Sequence, residues 1–122
     1  MSTERETTLR DRTREFALQI IRMYSALPKN AVAQVIGRQM LRAGTSVGAH
    51  HREAARARSD AEFVSKIEGA QQELEETVYW LELAAAEHLA PAGRLEALLG
   101  EADELMAMLA ASARTVKARR AR

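Results

Sequence analysis

Between Arg42 and Phe63 the chain reads RAGTSVGAHHREAARARSDAEF, and Ser46, His50 and Glu53 stand there at i, i+4 and i+7. That spacing puts three side chains on one face of a helix. Drawn as a relay, the serine would be the nucleophile, the histidine its base and the glutamate the group that orients the ring. A helix interior is the wrong setting for this chemistry. Its backbone N–H groups are already bonded within the helix, so none is left to stabilise an oxyanion. A polar seam between packed helices is the expected reading.

Metal binding meets a similar obstacle. His50 and His51 are adjacent, so on a helix they point about 100° apart and cannot share an ion within one chain. Di-iron bundles need a glutamate with a histidine three residues on. Glu73, Glu75 and Glu76 have no such partner. The expectation is a non-enzymatic protein with no catalytic, metal or cofactor residues. A metal-binding or hydrolytic bundle is the remote alternative.

The arginines suggest a different chemistry. Arg38, Arg42, Arg52 and Arg56 share one helical face, with Arg58 nearby, and Lys117, Arg119, Arg120 and Arg122 form a second basic cluster. Such patches can neutralise phosphates of RNA or DNA. They can equally serve as partners for neighbouring acids or for a helix C-terminus. Net charge is only +1, yet residues 30–58 carry 5 basic and 1 acidic side chain while residues 59–88 carry 1 and 8. Such a split favours complementary packing of helices or subunits, and nucleic-acid contact needs an oligomer that multiplies the basic patches.

These residues must be positioned by helices. Aromatics are 4% of a chain that is 47% hydrophobic, so small aliphatic side chains fill the core, which suits closely spaced helices. With 122 residues, residues 1–122 form a single domain. Leu9, Thr13, Phe16, Ile20, Met23 and Leu27 recur at helical spacing, and Pro28 follows. Asn30 can cap a second helix, and Ser59 with Glu62 makes a capping box for a third. Phe63, Ile67, Ala70, Leu74, Thr77, Leu81 and Ala84 form its stripe. Leu95, Leu98, Ala102, Leu105, Leu109, Ser112 and Val116 form the fourth, which starts near Pro91. The pattern predicts an all-α, antiparallel, up-down-up-down four-helix bundle with helices at about 8–27, 31–58, 60–88 and 91–118.

The second helix carries two stripes. Val32, Ile36, Ala43, Val47, His50 and Ala54 suit the chain's own core, while Gly37, Leu41, Gly44, Gly48, His51 and Ala55 form a line of small residues. Glycine inside a helix costs up to ~1 kcal/mol, so this line calls for close approach by another helix of the bundle or by a neighbouring subunit. Tyr79 and Trp80 extend the third helix beyond one stripe. Two buried faces on so short a chain predict a homo-oligomer, with Gly37, Leu41, Gly44, Gly48, His51, Tyr79 and Trp80 as interface candidates. Cysteine is absent, the N-terminus is charged, and no apolar run is long enough for a membrane span;. A cytoplasmic protein without membrane partners is expected.

The run from Arg38 to Ala84 resembles the central signature of the bacterial four-helix-bundle family of 23S rRNA intervening-sequence proteins. Gln39, Arg42, Ser46, Val47, Glu53, Ser59, Glu62, Phe63, Glu76, Tyr79, Trp80 and Leu81 carry the likeness. It departs at His50, where the family usually has asparagine, and at His51, often an aromatic or aliphatic position. The resemblance implies a non-enzymatic bundle assembling as a ring, typically a homopentamer, that acts as a scaffold or binding module for nucleic acid or protein. Related accessory proteins of diversity-generating retroelements bind RNA and a reverse transcriptase, which is the alternative role. Those relatives are more basic, so the near-neutral charge favours the intervening-sequence branch.

Overall fold

Capping side chains start the two middle helices of the computed structural model, which describes residues 2–121, with side chains from Thr8 to Ala121. The helices are α1 (Ser2–Ala26), α2 (Ala31–Ala55), α3 (Asp60–Ala86) and α4 (Ala92–Arg120). Asn30 begins α2 by accepting the Ala33 N–H at 2.9 Å. Ser59 begins α3 by accepting the Glu62 N–H at 3.1 Å. The return bond of the expected capping box shifts by one residue, since the Glu62 carboxylate takes the N–H of Arg58 at 2.9 Å. Helix α3 ends in a Schellman turn: Leu89 N–H bonds Ala84 O and His88 N–H bonds Ala85 O, with His88 at φ 53°;.

Two boundaries differ from the periodicity. Helix α1 begins at Ser2 rather than near residue 8, and α2 ends at Ala55 rather than near Arg58. At the end of α2 the N–H groups of Arg56 and Ala57 bond carbonyls three residues back, at Glu53 and Ala54. This tightened turn lets the chain reverse before the Ser59 cap.

Consecutive helices are neighbours and run antiparallel. Helix α2 packs against α1 and most extensively against α3, α3 packs against α4, and a thin contact between α1 and α4 closes the bundle. The expected stripes are its core: Phe16, Ile20 and Met23 from α1, Ile67, Leu74 and Leu81 from α3, and Leu95, Leu105 and Leu109 from α4 are all buried. Position 112 is a small departure, since Ser112 is half-buried and Ala113 is the buried residue beside it. Val32 is a larger one. Expected inside, it is 55% exposed, with Val35 at 59%. The inward direction of α2 is set by Ala33, Ile36, Met40 and Val47, and Val32 falls about 100° away from Ala33.

The glycine line of α2 faces α1 of the same chain. A Cβ on Gly37 would lie 2.7 Å from Leu27 Cδ1, and one on Gly44 would lie 2.9 Å from Ile20 Cγ1. A Cβ on Gly48 would meet Thr13 Oγ1 at 3.3 Å. Of the two uses open to this line, it serves the one inside the bundle. Gly37 and Gly44 are buried against α1 and offer little surface to another subunit;.

The thin α1–α4 seam is held by charge. Arg12 donates to Glu101 through Nε at 3.0 Å and Nη2 at 2.6 Å, and Nη2 also reaches Glu104 at 2.8 Å. The hydrogen bonds to Glu101, then those to Glu104, push the guanidinium pKa up. With side chains 31% and 27% exposed, Arg12 and Glu101 form a bidentate, partly shielded pair, stronger than a freely solvated one.

Urea unfolding at matched protein concentration checks both features. Gly44→Ala should destabilise by about 1 kcal/mol, because crowding Ile20 outweighs the helix-propensity gain. Gly100→Ala, where a Cβ meets nothing within 4 Å, should stabilise by about 0.5–1 kcal/mol. A stabilised Gly44→Ala would contradict the close α1–α2 approach. Arg12→Gln should lower stability by about 1 kcal/mol at low salt, with a smaller loss at high salt. A loss independent of salt would mean that Arg12 acts by packing alone.

Candidate nucleic-acid interface

The α2 face opposite the core carries the arginines. Arg38, Arg52 and Arg56 are exposed there, and among the described residues none of them has an acidic partner within ion-pair distance. Arg42 differs from them. It reaches across to α3, where its guanidinium bonds Glu73 at 3.2 Å and Glu76. Helix geometry explains the difference: Arg42 sits about 40° round from Arg38 and Arg56, toward α3.

The C-terminal cluster is largely committed elsewhere. Lys117 pairs with Glu68 at 2.8 Å and Arg119 with Asp60 at 3.2 Å, tying the end of α4 to the start of α3. Arg120 is exposed, and Arg122 lies outside the described residues. So of the eight cations expected to serve phosphates, three already neutralise acids of α3 and three line the outer face of α2.

The polar residues of the opening stretch make a seam between α2 and α3. Ser46 Oγ donates to Arg42 O of its own helix at 2.7 Å. His50, half-buried, has Nδ1 at 3.3 Å from Glu53 and Nε2 at 3.8 Å from Glu73, and Lys66 lies 3.4 Å from Glu53. The serine hydroxyl therefore points into its own helix, while the imidazole lies among carboxylates of both helices. No group of three or more histidines, cysteines, aspartates and glutamates among the described residues could hold a metal ion. The periodicity gave no sign of Gly69 in this seam. A Cβ there would come within 3.3 Å of His50 Nδ1, so its small size makes room for the ring. The cue was available as a glycine in the middle of an otherwise strong helix.

Beyond the glycines, the remaining interface candidates occupy two settings. His51 is buried and Leu41 is half-buried against the core. Tyr79 is 53% exposed on α3 and meets the half-buried Trp80 edge-on, with ring centroids 5.0 Å apart. Glu75, Glu76 and Glu82 surround Tyr79 in a shallow acidic depression. No helix among the described residues is long and apolar enough to cross a membrane.

Comparison with known proteins agrees with this architecture. A crystal structure from Bacteroides thetaiotaomicron, a protein with unknown function from the S23 ribosomal protein family, is similar at a TM-score of 0.85 and 33% identity. The match covers 90% of this chain and 98% of that one. No functionally curated protein matches. Residues 5–111 match the family described as 23S rRNA-intervening sequence protein. The span takes in α2 and α3 whole, with the seam and arginine face they carry, and the chain belongs to that family.

Proposed function

We propose that this protein is a non-enzymatic scaffold whose copies assemble into a ring, a pentamer, and present the α2 arginine face to RNA or DNA. The observation that carries the reading is the line Arg38, Arg52 and Arg56. It stays without acidic partners among the described residues even though the adjacent helix is rich in acids. Uncompensated guanidinium groups about one to five turns apart on a rigid helix suit the regular spacing of a phosphate backbone. No aromatic stands among them, so stacking adds little and sequence preference should be slight.

Assembly is supported by surface left unpartnered in one copy. Tyr79 with its rim of glutamates is one part, and Val32 and Val35 at the start of α2 are another. An acidic face of this kind suits an opposite-signed face on a neighbour. Helix α1 offers Arg10 and Arg14, both exposed and without an ion-pair partner among the described residues. Covering the acids in this way removes repulsion toward phosphates while the α2 faces repeat around the ring.

Light scattering tests the assembly. At micromolar concentration the wild type should give the mass of a ring of 13.5 kDa chains, and Val35→Lys with Tyr79→Lys should give a smaller species of unchanged helicity. A monomeric wild type overturns the reading. Binding is tested by fluorescence anisotropy with labelled RNA and duplex DNA across a salt series. Replacing Arg38, Arg52 and Arg56 together by glutamine should flatten the log–log salt slope on duplex DNA by about 2–3, since each phosphate left without its cation removes about 0.9. Truncation after Val116 should change it less, because Lys117 and Arg119 are paired with acids of α3. Absence of wild-type binding at low salt would remove nucleic acid as the ligand.

A further inference from the structure

At the end of the bundle where α2 finishes and α3 begins lies a cavity of about 430 Å³. Its origin is visible in the stripes. On α2 the inward residues Ile36, Met40 and Val47 give way to Ala54, and on α4 the leucines at 95, 98, 105 and 109 give way to Ala113, with Ser112 beside it on the cavity wall. Both helices therefore shrink their side chains at the same end. Leu9 and Phe63 keep their size and become walls. Protein interiors hold few voids larger than a water molecule, and this volume falls within the range of small-molecule pockets.

The polar lining has a definite sign. His51, 6% exposed, is the buried imidazole of the described core and borders the cavity. Arg58 and Arg119 stand at its edge. The acid there, Asp60, is neutralised by Arg119 at 3.2 Å. Arg58 bonds Glu62 through its backbone N–H, and its guanidinium has no acidic partner among the described residues. Among the described residues, one uncompensated cation thus faces an opening whose interior is half hydrocarbon.

We propose that this cavity binds a small organic anion, a carboxylate on a compact apolar body. The carboxylate would meet the Arg58 guanidinium, with Ser112 and His51 as the polar groups nearest the apolar body, which would rest on Leu9, Phe63 and Val116. The site is separate from the outer face of α2, and it stands whether or not that face binds nucleic acid.

The test is isothermal titration of the full chain with hexanoate and benzoate, with hexanol and hexylammonium as matched probes of the other charge states. At least one carboxylate should bind at millimolar concentration or below, more tightly than hexanol, and hexylammonium should not bind. Arg58→Gln changes an exposed side chain and should weaken carboxylate binding about tenfold, the effect of removing one charge-assisted hydrogen bond. Ser112→Leu should crowd the apolar part of the cavity and weaken binding of both carboxylates. If Ser112→Leu does not fold, Arg58→Gln decides alone. No heat with either carboxylate overturns the proposal. So do binding unchanged by Arg58→Gln and equal binding of hexanol.

Discussion

The distance between α1 and α2 is the constraint on which the rest of the bundle rests. Gly37, Gly44 and Gly48 bring the α2 backbone up against Leu27, Ile20 and Thr13; a Cβ at the first two would lie under 3.0 Å from a side-chain carbon, and one at Gly48 would make a tight 3.3 Å contact. Three helical glycines forgo up to about 3 kcal/mol of helix propensity, so the close packing they allow must offset that. It does so by letting Ile20, Met23 and Leu27 reach full burial beside Met40 and Val47. With α1 seated so closely, α2 has one side for α1, one for α3 and one left for solvent. That third side carries Arg38, Arg52 and Arg56.

On its other flank α2 meets α3 through a polar seam laid over an apolar floor. Val47, Ala43, Ile67, Ala70 and Leu74 are buried beneath it. Above them, Arg42 takes Glu73 and Glu76, while His50 sits between Glu53 and Glu73. Gly69 plays against His50 the part that the α2 glycines play against α1. Exposed pairs of this kind add little stability individually. Their effect is on register: a slip of one turn would cost Arg42 one of its two acids and drive a larger residue into His50;.

The helices and caps were legible because period and capping chemistry are local. Stripes in α1, α3 and α4 could be read residue by residue, as could Asn30 and Ser59. What remained open had a common physical cause. A line of small residues announces close approach but does not say by which neighbour, so the destination of Gly37, Gly44 and Gly48 needed the fold. The same holds for Arg12, whose carboxylate partners lie 89 and 92 residues away in sequence. Periodicity also cannot separate the paired Arg42 from the unpaired Arg38, since about 40° of rotation decides it. At the bundle end, the shift from large to small residues was in plain view at Ala54 and Ser112. It became a cavity only once α2 and α4 were known to end on the same side.

Charge geometry gives the remaining link between fold and function. Neighbouring helices pack with axes about 8–10 Å apart, and the Debye length at physiological salt is about 8 Å. A phosphate on the α2 face of an isolated chain would therefore still feel the acids of α3 over much of the salt range. Raising salt to screen those acids screens the arginines equally, so ionic strength cannot by itself turn a chain of net charge +1 into a phosphate binder. Lys117 and Arg119 do not alter this balance, because they cancel Glu68 and Asp60 near the start of α3. What can alter it is coverage: an interface that buries Tyr79 and its glutamates against foreign cations removes the repulsion and leaves the attraction. In the proposed function, then, nucleic-acid binding and self-association are coupled, and the first depends on the second.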